Sequence, residues 1–221
     1  MVRLYAFLIG YVFGLSQTAF IVGKIKGIDI RQHGSGNAGT TNALRVLGPK
    51  VGLIVFAGDM LKGIIACLIV KALFLNDYPE LGYLLPTYCA AGCVLAHDFP
   101  FYMHFKGGKG IAATGGTVMG GFPWPFTVVG LALFFVPFFL THLVSLCSLT
   151  LYAGLFIELV IFSNTGLFRF GAMTPAARTE TIIIFGALML LAFWQHRSNI
   201  GRLLRGEENK TYLKKKKPAE E

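Results

Sequence analysis

Three polar clusters interrupt an otherwise apolar chain, and each carries residue types suited to holding phosphate. The first is His33 to Asn42 (HGSGNAGTTN), the second His97 to Gly116 (HDFPFYMHFKGGKGIAATGG), the third His196 to Leu203 (HRSNIGRL). In the second, Gly107, Gly108, Gly110 and Gly115 lie around Lys109. Glycines let backbone N–H groups face an anion, while Lys106 and Lys109 supply countercharge. A helix starting at Ile111 would add the positive end of its dipole. The spacing is not that of a Walker loop. A cytoplasmic loop obeying the positive-inside rule would account for the lysines but not the glycines. The first cluster sets Ser35, Asn37, Thr40, Thr41 and Asn42 among glycines, a donor-rich arrangement for phosphoryl oxygens, with an ordinary turn-rich loop as the alternative. His196 can cap a helix C-terminus or exchange a proton.

The elements that position these clusters must be membrane helices. Of 221 residues 54% are hydrophobic and 14% charged, with mean hydropathy +0.62, a membrane composition. Apolar stretches of spanning length occupy the whole chain. They predict one membrane-embedded domain over residues 1–205 and a basic cytoplasmic tail over 206–221. Met1 to Ile21 has no basic n-region or small-residue cleavage site and reads as the first membrane helix. Lys and Arg number 20 against 11 Asp and Glu, a net charge of +9, much of it between Lys24 and Lys50 and after His196. In a soluble protein the run Lys214 to Lys217 would raise a nucleic-acid partner. On a chain this apolar it is a topology signal or a contact with anionic headgroups, so membrane lipid is the expected partner and nucleic acid is not. Cys67, Cys89, Cys93 and Cys147 fall inside apolar segments and read as core thiols. The five histidines and the scattered carboxylates lack ligand spacing, so neither a metal nor a cofactor is expected. A monomer is the expected state.

Leu4 to Val22 forms the first span, closed by Lys24 and Lys26 on the cytoplasmic side, which puts the N-terminus outside. Val51 to Phe74 returns, Asn76 to Glu80 turns outside, and Leu81 to Ala96 delivers the second cluster to the cytoplasm. The tail after His196 belongs on the same side, so an even number of crossings must separate them. Hydropathy offers three blocks: Ile111 to Leu140, Leu143 to Phe162 and Thr181 to Trp194. The run Gly120-Gly121-Phe122-Pro123-Trp124-Pro125 would break a helix. It divides the first block into a short helix, Ala112 to Gly121, and a full one, Pro125 to Leu140. The short helix rises only ~15 Å, half the hydrocarbon thickness, and is tolerated where protein or a water-filled cavity surrounds it. The expected fold is an all-α integral membrane protein, a seven-helix bundle including a short broken half-helix, with the N-terminus outside and the C-terminus cytoplasmic. Arg169 and Arg178 then lie outside, against the charge rule, but the tail outweighs them.

The first cluster matches the pattern S-G-N-x-G-x-T-N, the second H-x-F-P followed by F-K-G-G-K-G, the third H-x-x-N-I-x-R-L. In these motifs, and over almost its whole length, the chain resembles the bacterial acyl-phosphate-dependent glycerol-3-phosphate acyltransferases, the PlsY family. The resemblance implies an inner-membrane enzyme that moves a fatty acyl group from acyl phosphate to the 1-hydroxyl of glycerol 3-phosphate. Lysophosphatidic acid and inorganic phosphate would be the products, in the first step of phospholipid biosynthesis, and neither acyl-CoA nor acyl carrier protein would be the direct donor. Carried over by position, Ser35, Gly36, Asn37, Gly39 and Thr41 would hold the donor's phosphate. Arg45, Lys109, His196 and Asn199 would hold glycerol 3-phosphate and act in catalysis, with Ser145 closing the glycerol 3-phosphate site. An acyl phosphate is an activated mixed anhydride, so no covalent intermediate is required. The protein must bring two anions together and stabilise a tetrahedral oxyanion. Either His196 or a substrate phosphate could take the hydroxyl proton.

Thr40 stands where alanine is more usual in the family, and His142 and Cys147 replace arginine and glycine near Ser145. Asp59 and Lys62 are i, i+3 on the second helix and can pair, which lowers the cost of burying either. Glu158 has no basic partner nearby in sequence. Phe99, Phe101, Phe105 and the glycines of the half-helix are candidates to line a slot for the acyl tail. A transporter of phosphate or an organic anion would also use a half-helix that presents its N-terminus to the ligand, but it would be expected to show two similar halves, and none is visible. A scaffold binding anionic lipid through its tail would leave the three clusters unexplained.

Overall fold

The computed structural model describes residues 1–212, so the Lys214 to Lys217 run lies outside the described residues. Among the described residues all regular structure is helical. In chain order the α-helices are α1 (Val2–Gly14), α2 (Thr18–Ile25), α3 (Thr40–Leu47), α4 (Pro49–Phe74), α5 (Leu84–Asp98), α6 (Ile111–Gly121), α7 (Trp124–Thr141), α8 (Val144–Thr165), α9 (Pro175–Gln195) and α10 (Arg197–Leu204). Five segments are long and apolar enough to cross a membrane: α1 with α2, α4, α7, α8 and α9. The shorter α5 and α6 complete seven membrane segments, while α3 and α10 are eight-residue helices with polar faces. The half-helix is present: α6 has 11 residues, rises ~16 Å, and ends at Phe122 and Pro123, before Trp124 opens α7.

The first crossing is not the continuous helix the hydropathy predicts. It breaks at Leu15 to Gln17, and the break is held by side chains of α4 and a backbone carbonyl of α5. Lys62 Nζ on α4 donates to the Ser16 carbonyl at 2.6 Å and the Gly14 carbonyl at 3.4 Å, satisfying groups that the interrupted helix leaves unpaired. Gln17 donates to the His97 carbonyl at 2.7 Å, and Thr18 to Asp59 at 3.0 Å. Lys62 also pairs with Asp59 at 3.1 Å and lies 2.7 Å from His97 Nδ1. The expected Asp59–Lys62 pair therefore forms, within a buried cluster that ties α2, α4 and α5 together.

Helix contacts rest on glycine. A Cβ on Gly116 would lie 2.0 Å from the Met60 carbonyl oxygen, one on Gly120 2.6 Å from that of Ile64, and one on Gly63 2.6 Å from that of Ala113. Those three positions let α4 and α6 approach backbone to backbone, as tightly packed membrane helices do. Gly10, Gly14 and Gly92 do the same for α1 and α5, with would-be Cβ atoms 1.9 to 2.3 Å from facing carbonyls. The half-helix is thus sheltered by protein instead of facing lipid with its ends unpaired.

At one end of the bundle Tyr83, Phe122, Phe126, Phe162 and Phe170 form an aromatic core. Every polar connection carrying a motif lies at the other end: the loop from α2 to α4, the loop from α5 to α6, the α7–α8 turn and the α9–α10 turn. The splitting of the first apolar block into α6 and α7 is what brings all four to one face.

Candidate active site

The first cluster is a loop shaped by Asn42. This buried residue of α3 accepts from the Ser35 amide at 2.8 Å and donates to the carbonyls of Ile30 (3.1 Å) and His33 (3.0 Å). Gly34 and Gly36 sit at φ 61° and 73°, a left-handed backbone that glycine adopts without strain. Below the loop Asp29 accepts from the Arg31 side chain, and this contact pulls its carboxyl down to about 2. Gly39 precedes α3, so the first-turn amides of Thr40 to Asn42 have no intrahelical partner.

The second cluster folds differently from the expectation that its glycines expose amides to an anion. Gly107 donates to the Asp98 carbonyl at 3.1 Å and Gly108 to the His97 carbonyl at 3.1 Å, so both amides are used within the fold. A Cβ on Gly108 would meet His97 Nε2 at 2.1 Å, and one on Gly107 the His97 carbonyl oxygen at 2.1 Å. These two glycines let the loop close over His97. The anion-facing donors come from the next residues of the chain: Lys109, then Gly110 in the left-handed region as the residue before α6, then the first-turn amides of α6.

In the third cluster His196 ends α9, and its Nδ1 lies 2.8 Å from the Ala192 carbonyl. A carbonyl only accepts, so Nδ1 carries the proton and Nε2 keeps a lone pair. Burial and the neighbouring Lys109 push His196 down to about 4, which leaves it neutral at physiological pH. Burial, with Arg202 adding to it, lowers Lys109 to about 8. Lys109 Nζ donates to Asn199 Oδ1. Asn199 Nδ2 in turn donates to Glu208 at 3.2 Å, and Glu208 accepts from Arg202 at 2.9 Å. Residues after α10 fold back over the site: the Thr211 amide donates to the His142 carbonyl at 2.8 Å, and Tyr212 lies against the His142 ring.

All ten candidate residues line one cavity of about 860 Å³: Ser35, Gly36, Asn37, Gly39, Thr41, Arg45, Lys109, Ser145, His196 and Asn199. The N-terminal ends of α3, α6, α8 and α10 open onto it, alongside Arg45, Lys109, Arg197 and Arg202. Four positive helix ends and four cations against few carboxylates make a site for more than one anion. Ser145 and Thr40 line it with buried hydroxyls that have no hydrogen-bond partner among the described residues. From this polar mouth the cavity continues between α4, α6, α7 and α8 along Met60, Val118, Gly130, Phe134, Leu151 and Leu155 to Phe126. The apolar slot therefore lies beside the half-helix, with Gly115 on its wall, while Phe99, Phe101 and Phe105 do not line it. Phe101 and Phe105 point outward, 57% and 63% exposed. Glu208, Asp59 and His97 also line the cavity, outside the ten candidate residues. Glu208 sits in a run of charged tail residues, where only its contact with the Asn199 and Arg202 side chains sets it apart.

A model of the glycerol-3-phosphate acyltransferase family matches residues 4–206. The glycerol-3-phosphate acyltransferase of Bacillus subtilis is 35% identical over 204 residues, covering 92% of this chain and 94% of that protein. The enzyme of the same name from Shouchella clausii is 36% identical over 214 residues, covering 92% and 93%. Among solved structures, the crystal structure of PlsY, an integral membrane glycerol 3-phosphate acyltransferase, in its glycerol 3-phosphate form superposes with a TM-score of 0.80 at 30% identity, covering 96% of both chains. Its lysophosphatidic acid form gives 0.78 at 29% identity, covering 96% of this chain and 97% of that one. With the three motifs gathered on one cationic cavity in a helical membrane fold, the chain belongs to the glycerol-3-phosphate acyltransferase family and is an acyltransferase.

Proposed function

We propose that the chain transfers a fatty acyl group from acyl phosphate to the 1-hydroxyl of glycerol 3-phosphate, releasing inorganic phosphate and lysophosphatidic acid. The observation that carries this reading is a single cavity with two unlike ends: a mouth of helix N-termini and cations, continuous with an apolar slot between membrane helices. Ser35, Gly36, Asn37, Gly39 and Thr41 hold the donor's phosphate against the start of α3. Arg45, Lys109, Ser145, His196 and Asn199 hold glycerol 3-phosphate, and the acyl tail lies in the slot.

The hydroxyl oxygen attacks the donor's carbonyl carbon, a tetrahedral oxyanion forms, and the bond to the phosphate oxygen breaks. Helix amides and Lys109 stabilise the developing charge. A histidine at about 4 is a weaker base than a phosphate whose second pKa is about 6. We therefore assign the hydroxyl proton to a substrate phosphate, with His196 Nε2 accepting a bond that orients the hydroxyl. The segments that bear the cationic mouth also carry Lys24, Lys26, Arg31, Lys50 and Lys106 in sequence, and by the positive-inside rule they face the cytoplasm of a bacterial inner membrane, with the N-terminus outside. The protein acts as one membrane-embedded domain followed by a basic tail.

The test is phosphate release by purified protein given palmitoyl phosphate with and without glycerol 3-phosphate. Release requiring both, with an equal amount of lysophosphatidic acid, is expected. No release from a folded sample would overturn the reading and favour anion transport.

A further inference from the structure

We infer that Gly130 on α7 is a specificity-determining residue that makes room for the distal part of the donor's acyl chain and so sets the preference for long chains. The inference rests on the slot being the acyl site.

Glycines in this bundle divide into two kinds. Gly116, Gly120 and Gly63 are required by packing, because a Cβ would collide with a facing backbone. Gly154 on α8 meets a side chain instead, since a Cβ there would lie 2.3 Å from a Leu133 methyl that can turn aside. Gly130 is different. A Cβ at this position would stand at ordinary contact distance, 3.4 Å from a Leu151 methyl and 3.5 Å from a Leu155 methyl. All three residues line the slot. No backbone approaches Gly130 closely enough to demand glycine, and its φ does not fall in the left-handed region. What the missing side chain provides is volume inside the slot.

The dimensions fit an acyl chain. From Ser145 at the mouth to Leu155 near the floor the slot follows α8 for ten residues, ~15 Å, which is one leaflet of a ~30 Å hydrocarbon core. The Leu151 level, where Gly130 faces α8, is ~9 Å down. The floor is Phe126, fully buried and backed by Phe122 at 5.1 Å and Phe162 at 5.3 Å between ring centroids. At the side, Met119 and Leu131 line the slot while remaining 43% and 45% exposed. That places an opening toward lipid between α6 and α7, through which a chain can enter. A leucine at 130 would fill the lower part of the slot and leave the part above it free.

The experiment compares lysophosphatidic acid formation from palmitoyl phosphate and octanoyl phosphate by wild type, Gly130→Ala and Gly130→Leu. Gly130→Leu should lower the palmitoyl-to-octanoyl ratio of kcat/KM at least tenfold, the effect of overpacking a filled interior, with KM for glycerol 3-phosphate unchanged. Gly130→Ala should keep a ratio close to wild type. Should Gly130→Leu not fold, Leu155→Phe fills the same volume from the facing helix and should move the ratio in the same direction. A folded Gly130→Leu or Leu155→Phe protein with the wild-type ratio would overturn the inference. Wild type that uses neither donor would instead overturn acyl phosphate as the donor.

Discussion

Glu208 offers the most discriminating perturbation, because it stands between the cation of the site and the chain after α10. Its side chain is 7% exposed, accepts from Arg202 Nε at 2.9 Å, and accepts from Asn199 Nδ2 at 3.2 Å. The second bond fixes which end of the Asn199 amide faces Lys109. With Nδ2 held by the carboxylate, Oδ1 is left to accept from Lys109 Nζ. In Glu208→Ala the Asn199 amide loses the carboxylate that anchors its Nδ2 and so holds its Oδ1 in place for the ammonium, and Arg202 loses its partner. A hydrogen bond to a charged group is worth about 1.5 to 3 kcal/mol. Loss of one such positioned contact in the transition state lowers kcat/KM by roughly 10- to 150-fold. There is also a pH signature. The carboxylate near Lys109 opposes the burial and the Arg202 charge that lower it to about 8. Removing it lowers Lys109 further, and a lysine is charged only below its pKa. The pH at which glycerol 3-phosphate binding weakens should therefore move down. Glu208→Gln keeps an acceptor for Asn199 without the charge, so it should show the smaller loss in kcat/KM but the same downward shift. Initial rates of lysophosphatidic acid formation against glycerol 3-phosphate concentration, across the pH range around Lys109's value, report both effects. A folded Glu208→Ala enzyme with unchanged KM and an unchanged alkaline limb would refute the reasoning.

Lys109→Ala should abolish turnover while the protein still inserts and melts as wild type does, and retained turnover would contradict the placement of glycerol 3-phosphate. In the wild type, Lys109 loses its charge as pH rises through about 8, whereas glycerol 3-phosphate stays dianionic well above a second pKa of about 6. KM for glycerol 3-phosphate should thus climb above that pH, approaching tenfold per unit, and a flat KM would show that Lys109 does not bind it. Gly116→Ala should lower the melting temperature sharply, since its Cβ would lie 2.0 Å from the Met60 carbonyl oxygen. Gly115→Ala, one residue away with its nearest neighbour a Met60 methyl at 3.7 Å, should melt close to wild type. Asn42→Ala removes three hydrogen bonds, a cost of about 3 kcal/mol at ~1 kcal/mol each. It should reduce both the melting temperature and activity with acyl phosphate; normal activity would show that the loop keeps its shape without this residue.

The half-helix was legible because its cause is local: Gly120 to Pro125 cannot continue a helix whatever surrounds it, and the charge rule demanded one more crossing than hydropathy displayed. The break in the first crossing was not legible, because its cause lies elsewhere in the chain. Nothing from Leu15 to Gln17 forbids helix. Lys62 makes the break favourable by donating to two of its carbonyls, and Gln17 is held by His97, 80 residues on. The second cluster shows the same limit at the site itself. Its lysine is readable as a cation at a helix start, but its glycines read equally as anion donors, when His97 is what requires Gly107 and Gly108. A sequence reports that a side chain is missing and not what occupies the space. Beside His97 that space is taken by backbone and an imidazole, on α6 at Gly116 by the carbonyl of Met60, and at Gly130 by none of these. The glycines with a colliding neighbour are explained by the fold, and the lining glycines without one, Gly115 and Gly130, are where a ligand must be sought.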